Sequence, residues 1–307
     1  MRPACSRPPP VLTVAGQRQA EIVENIGNRI RIRARAPHVP SIEIEVVVPD
    51  AIKRVEIINR LRKDEVRAKE AVYFAFPFQV DSPSLAYQIQ NAWIRPNLDQ
   101  LPGACRDWFT TQNVVVARGV GAEIAWATPD APLITLTDIN RGAWLRQLEI
   151  RNAHVYSYAM NNYWPTNYRA SQGGEFTFRY YITSGRALSP EALGRFDAET
   201  RSPLVPGAYL DTPTVKLQAA QRRLPRDRGA LLEVEAPHAQ VTAWKQAEDG
   251  EGFILRLREM AGRTGVARVR SPVLSLATAR LTNGVEEDGA PLTVRQDGLE
   301  IPLQPWG

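Results

Sequence analysis

Between Tyr156 and Tyr168 the chain sets Asn161, Asn162 and Asn167 among four tyrosines and Trp164. Amide side chains both donate and accept hydrogen bonds, and aromatic faces stack on apolar ring faces, so this mixture suits a sugar. It equally suits the edge of a β-sandwich core, where aromatics pack and asparagines make turns. Composition leaves both readings open. A second group is Asp99-Gln100-Leu101-Pro102-Gly103-Ala104-Cys105-Arg106-Asp107-Trp108. Here a Pro-Gly turn leads into an arginine fork beside a carboxylate, which either pair to hold a loop or face hydroxyl groups.

Other chemistry finds little footing. The three histidines, His38, His154 and His238, lie far apart, and none has an acidic residue two positions on. There is no HExxH, no Cys/His cluster and no EF-hand loop, and no GxSxG elbow. Cys105 stands beside Arg106, which could lower a thiol pKa, but the expectation is a buried structural cysteine. Paired carboxylates for glycoside hydrolysis need fixed spatial separations that sequence does not supply.

The elements that must position these residues read mainly as strands. Ile30 to Arg35 alternates apolar and charged with period two, and Ile42 to Val46 repeats the pattern with the opposite charge. Paired, they would set an arginine row beside a glutamate row on the solvent face, each pair contributing only about 0.2–1 kcal/mol. Further strand-like runs are 55–59, 71–78, 114–117, 123–127, 176–183, 231–236, 253–258 and 299–303. Residues 64–71 read as strand or turn. One helix signal stands out, Ser189-Pro190-Glu191, with an N-cap serine, proline at the first helical position and an acid in the first turn. That helix is expected to end near Phe196. The 24 prolines and 20 glycines fall mainly between these runs, as in a sandwich or barrel of short strands.

Length and composition agree with this. The 307 residues are 44% hydrophobic and 23% charged, enough for a sizeable core. The net charge of +5 is spread along the chain with acids interleaved, so no nucleic-acid partner is expected. Two cysteines make no disulfide framework. No apolar run approaches the ~20 residues of a membrane span, and residues 1–10 lack the apolar core of a secretory signal, so the reading is cytoplasmic with no membrane partner. A Pro- and Arg-rich stretch, 187–228, reads as a connector with a short helix. It divides a large β region, 11–186, from a smaller β unit, 229–307.

Five runs, in order, resemble the C-terminal β region of glycoside hydrolase family 38, the bacterial α-mannosidase family. They are Lys-Glu-Ala-Val-Tyr-Phe-Ala-Phe-Pro-Phe at 69–78, Asp-Gln-Leu-Pro-Gly-Ala at 99–104, Trp-Ala-Thr-Pro-Asp-Ala-Pro-Leu at 126–133, Met-Asn-Asn-Tyr-Trp-Pro-Thr-Asn-Tyr at 160–168 and Glu-Asp-Gly-Glu-Gly-Phe-Ile-Leu-Arg-Leu-Arg-Glu at 248–259. The resemblance spans about Pro40 to Pro305. It implies an all-β chain, a large β-supersandwich of the galactose-mutarotase-like kind followed by a small C-terminal β-sandwich domain. It also implies mannosides as ligands. In that family an α/β domain carries zinc, held through a His-x-Asp pair, and an Asp nucleophile; nothing here matches it. No catalytic residue, zinc ligand or other cofactor is therefore carried over, and zinc is expected in a catalytic domain missing from this chain. By position, Arg106, Asp107 and Trp108 are the first candidates for the sugar pocket edge, followed by Asn161, Asn162 and Trp164. The expected partners are carbohydrate and a separate catalytic chain, or a second copy. A standalone carbohydrate-binding module and a structural remnant of a split gene are the alternatives.

Overall fold

The computed structural model describes residues 21–139, 144–162, 169–204, 229–295 and 298–307. Within them the chain is nearly all β, as the alternation requires. The first strands are β1 (Glu21–Ile26), β2 (Arg29–Ala36), β3 (Val39–Val47), β4 (Val55–Lys63), β5 (Ala71–Phe78), β6 (Ser84–Ile89) and β7 (Ala92–Ile94). Then come β8 (Phe109–Thr110), β9 (Val114–Gly119), β10 (Ala122–Ala127), β11 (Leu133–Leu136), β12 (Ala153–Asn161) and β13 (Gly174–Gly185). After helix α1 (Pro190–Arg201) follow β14 (Glu233–Glu235), β15 (Ala239–Gln246), β16 (Phe253–Glu259), β17 (Gly265–Arg270), β18 (Ala279–Thr282), β19 (Asp288–Leu292), β20 (Val294–Arg295) and β21 (Gly298–Leu303). Among the described residues, those up to Ile89 and from Trp93 to Ala187 make one unit, and those of Gln90–Ala92 and from Leu188 to Gly307 make another.

In the first unit, nine strands form one sheet in the order β1-β2-β3-β4-β13-β10-β9-β6-β7, and four form another, β5-β12-β11-β8. The two share one core. Val115, Trp126, Phe178 and Tyr180 come from the large sheet; Phe76, Ile134, Leu136 and Val155 come from the small one. Phe76 sits 5.1 Å from the Trp126 ring and 4.8 Å from the Tyr180 ring, within the range of favourable tilted aromatic pairs. The buried Tyr180 hydroxyl donates to Ser157 Oγ at 2.9 Å, so the polar tip of a core aromatic is satisfied across the sheets.

The charged ladder forms in the expected register. Arg31 pairs with Glu45 and Arg33 with Glu43 across β2 and β3, and Glu43 pairs with Arg60 across β3 and β4. Arg29 reaches Glu45 at 3.1 Å and Arg60 reaches it at 2.9 Å. The two arginines roof Glu45, which is buried rather than on a solvent face. The hydrogen bond from Arg60 holds its carboxyl below the ordinary range despite that burial.

In the second unit a four-stranded sheet, β14-β17-β21-β20, is accompanied by two hairpins, β15-β16 and β18-β19. Its small core is Ala236, Ala267 and Leu303, backed by Val234, Leu257 and Ile301. Helix α1 starts as expected: Ser189 Oγ accepts from Ala192 N at 3.2 Å. It runs to Arg201 rather than stopping near Phe196. The extra turn is held by Arg201, which pairs with Asp197 at 3.0 Å, and by burial of Phe196, Asp197 and Thr200. Residues 64–70 are irregular, and the run at 231–236 is a strand only over Glu233–Glu235. Most of the connector stretch, 205–228, lies outside the described residues, as do residues 1–20.

Candidate functional site

The outer face of the four-stranded sheet is built by period-two alternation. Along β12, Ala153, Val155 and Ser157 turn inward and are buried, so His154, Tyr156 and Tyr158 turn outward. Across the ladder, Tyr158 is paired with Tyr73, Tyr156 with Ala75 and His154 with Pro77. The rings of Tyr73 and Tyr158 stack at 4.5 Å with 15° between planes. Tyr156 meets His154 edge-on, its hydroxyl 3.4 Å from Nδ1. Burial, and after it the charge of Asp138, pushes the Tyr156 phenol above its ordinary range. On the neighbouring strand Thr135 lies opposite Tyr156; it is fully buried, and its Oγ1 has no partner among the described residues. The half-buried tyrosines bring aromatic rings beside hydroxyl and imidazole groups, a mixture of the kind that meets a ring apolar on its face and polar at its rim.

Asn161 and Asn162 lie at the far end of β12. Asn161 is paired with Ala71. Asn162 is buried; its Nδ2 donates to Val66 O at 2.9 Å and Glu70 Oε1 at 3.1 Å, and its Oδ1 accepts from Gln172 N at 3.3 Å. Glu70 is the hub. Its Oε1 also accepts from Lys63 Nζ, and its Oε2 lies 2.8 Å from His38 Nδ1. Burial pushes the Glu70 carboxyl up, but the bonds from Lys63 and His38 outweigh it and hold the group below its ordinary range. Sequence reading found the asparagine and missed the hub. The signal was Lys63 at the buried end of β4, where an alternating strand leaves a cation in need of a partner.

Arg106, Asp107 and Trp108 occupy the loop entering β8. Arg106 and Asp107 are buried and turn to separate partners. Arg106 donates to Asn97 Oδ1 at 3.2 Å and Ala104 O at 2.8 Å. Asp107 accepts the backbone N–H of Trp144 at 2.7 Å and of Leu145 at 3.2 Å. Trp108 is half-buried. Cys105, expected to be a buried structural cysteine, is free and exposed; its neighbours Arg106 and Asp107 take the interior positions and leave it facing out. Trp164 lies outside the described residues.

The register keeps the two candidate groups apart. Phe109 is level with Ser157 through Ile134. Asn161 lies four residues beyond Ser157, about 13 Å at 3.3 Å per residue, while the loop of Arg106 enters from the other direction. The tyrosine face lies between them. Among the described residues no three of His, Cys, Asp and Glu are grouped to hold a metal ion.

Residues 238–306 match the family model described as the glycosyl hydrolases family 38 C-terminal beta sandwich domain. Two solved structures share the fold over 94% of this chain at 12% identity. One is an alpha-mannosidase from Enterococcus faecalis V583, with a TM-score of 0.64; the other is a family 38 glycosyl hydrolase protein from Enterococcus faecalis, with a TM-score of 0.61. This chain covers 34% and 35% of theirs, about a third of their length. No curated protein matches it. The chain thus shares its fold with family 38 glycosyl hydrolase structures and ends in a region, 238–306, that matches that family's C-terminal β-sandwich domain.

Proposed function

We propose that this chain is the C-terminal, carbohydrate-contacting part of an α-mannosidase-type glycoside hydrolase of mannose or glycan metabolism. The observation that carries this is the family 38 match at 238–306 within a fold shared over 94% of the chain. On this reading the large sandwich is the galactose-mutarotase-like supersandwich of that family. Its tyrosine face, Tyr73, Tyr156 and Tyr158, contacts the sugar, bordered by the loop of Arg106, Asp107 and Trp108 and by Asn161, Asn162 and Trp164. Asp107 and Asn162 shape that border through the backbone groups they hold. The described residues assemble no zinc ligand set. The zinc and the nucleophile are assigned to a catalytic domain outside this chain, in the cytoplasm, and the chain alone is not catalytic. No helix described here is long and apolar enough to cross a membrane.

Mixing the chain with a family 38 catalytic domain bearing the His-x-Asp pair should restore zinc-dependent hydrolysis of an α-mannoside. No gain on mixing, with both parts folded, overturns the proposal.

The stacked Tyr73–Tyr158 pair favours a second reading, a carbohydrate-binding module that works alone. Titrating methyl α-mannoside into the isolated chain separates the two. Binding that falls at least tenfold in Tyr158→Ala, without any catalytic partner, favours the module; silence at millimolar sugar removes it. Exposed Ile22 and Ile26 on edge strand β1 make a second copy of the chain the alternative partner, read out by sedimentation.

A further inference from the structure

Arg258 is the most unusual charged residue of the second unit. It is 7% exposed, and neither Nε nor Nη2 has a hydrogen-bond partner among the described residues. These two nitrogens form one edge of the guanidinium, the edge that fits two oxygens of an oxyanion side by side. Among the described residues the same edge sits on a single carboxylate at Arg54, Arg95 and Arg179. Arg54 places it on Glu56 at 2.9 and 2.6 Å, Arg95 on Asp99 at 2.8 and 2.8 Å, and Arg179 on Asp130 at 2.9 and 2.8 Å.

The surroundings sharpen the question of what Arg258 holds. Directly across the β15-β16 hairpin stands Gln240, so the two side chains share a face. Gln240 Oε1 is likewise buried and without a partner among the described residues. Helix α1 lies on the same region: Gly194 faces Met260, two residues after Arg258. The nearby charges are Asp197, fully buried with Oδ2 accepting from Arg201 Nη2, and Arg201 itself. Burial pushes the Arg258 guanidinium down, and the charge of Asp197 offsets this only in part.

We propose that Arg258 and Gln240 form a phosphate-binding subsite in the C-terminal β-sandwich, closed over by α1. Two phosphate oxygens would accept from Nε and Nη2 of Arg258. At neutral pH phosphate retains an O–H, and this donates to Gln240 Oε1, so one group satisfies all three orphaned atoms. A carboxylate or sulfate fills the guanidinium edge but brings no donor for Gln240. Entry requires a small movement of the hairpin, which pairs only two strands and so has less ladder support than the four-stranded sheet of the same unit. The phosphate is either the free ion or a sugar monoester, whose donor to Gln240 would be the monoanion's single O–H, a form that grows as pH falls toward about 6.

The test is calorimetric titration of the full chain with inorganic phosphate, sulfate and a hexose 6-phosphate, with folding of each variant checked by circular dichroism. Phosphate should bind once per chain, about tenfold more tightly than sulfate. Arg258→Met should abolish both, and Gln240→Leu should reduce phosphate to the level of sulfate while leaving sulfate unchanged. Tighter binding of the hexose phosphate identifies a monoester site; equal binding identifies the free ion. No heat from phosphate with the folded wild-type chain overturns the proposal. So does equal phosphate binding by wild type and Arg258→Met, which would place the ion elsewhere.

Discussion

Lys63 and Glu70 form an ion pair in which the ammonium is almost wholly enclosed: the Lys63 side chain is 2% exposed and that of Glu70 is 22% exposed. Lys63 also donates to Asp64 O at 3.0 Å, a neutral acceptor, so among the described residues it is Glu70 that supplies the negative charge it pairs with. Removing one partner of such a pair leaves a buried charge uncompensated. Glu70→Gln is therefore expected to lower stability by about 3–5 kcal/mol, read from urea unfolding at pH 7. Lys63→Met should cost less, because an apolar chain of similar length needs no partner and Glu70 keeps His38 and Asn162. Equal effects of the two variants would show that Lys63 reaches solvent when its partner is lost.

The same contact fixes the sign of the acid response. Glu70 titrates below its ordinary value of 4.5 when folded, so the folded state favours its ionised form. That contribution is fully present above about pH 4.5 and is lost as pH falls through the lower folded value. Glu45, held by Arg60, behaves in the same way. The melting temperature of the first unit should thus be level near neutrality and fall below pH 4.5. Glu70→Gln should be less stable at pH 7 and show a shallower fall in acid. A fall of unchanged depth would assign the acid response to other carboxylates.

Glu259 carries a comparable weight in the second unit. Its fully buried carboxylate accepts four backbone N–H groups: Ala261 at 2.8 Å, Gly262 at 2.7 Å, Arg263 at 3.2 Å and Trp306 at 3.1 Å. Burial pushes the carboxyl up, but these donors outweigh it and hold the group down. Its own N–H donates to Gly307 O at 2.7 Å, so one residue fastens the chain end to the turn after β16. Glu259→Ala removes the acceptor from several enclosed donors at about 1–3 kcal/mol each. Amide exchange at residues 261–263 and 306 should accelerate well beyond that of β17. Unchanged protection at Trp306 would mean that strand pairing alone holds the end.

What the sequence made legible was what depends on local order. The alternation at 30–35 and 42–46 placed arginines opposite glutamates because period two leaves no freedom of face, and the Ser189-Pro190-Glu191 start is a property of adjacent residues. The length of α1 was not legible, since its last turn depends on burial of Phe196 and Thr200 against the rest of the unit. The roles of Asp107 and Asn162 were hidden for a similar reason. The partners of Asp107 lie 37 and 38 positions away, and those of Asn162 lie as far as 96. Composition treats the aromatics from Tyr156 to Tyr180 alike, yet the sheets divide them. Phe178 and Tyr180 enter the core while Tyr156 and Tyr158 turn to the outer face, a division fixed by strand pairing rather than by composition.

Gly298 offers the sharpest test of the second unit's geometry. It opens β21 with φ at +125°, a region that side-chain-bearing residues rarely adopt. A Cβ placed there would run into the carbonyl oxygen of Val269, on the strand that β21 pairs with. A carbonyl in a ladder cannot yield as a flexible side chain does, so strain and clash act together. Gly298→Ala should lower stability by about 1–3 kcal/mol or more, seen by calorimetry. Gly284 provides the control: a Cβ there meets nothing within 4 Å, and its φ is not in the left-handed region. Gly284→Ala should leave stability unchanged or raise it by about 0.4–1 kcal/mol through the unfolded state. If both variants melt alike, the β17-β21 ladder is free to shift away from residue 298.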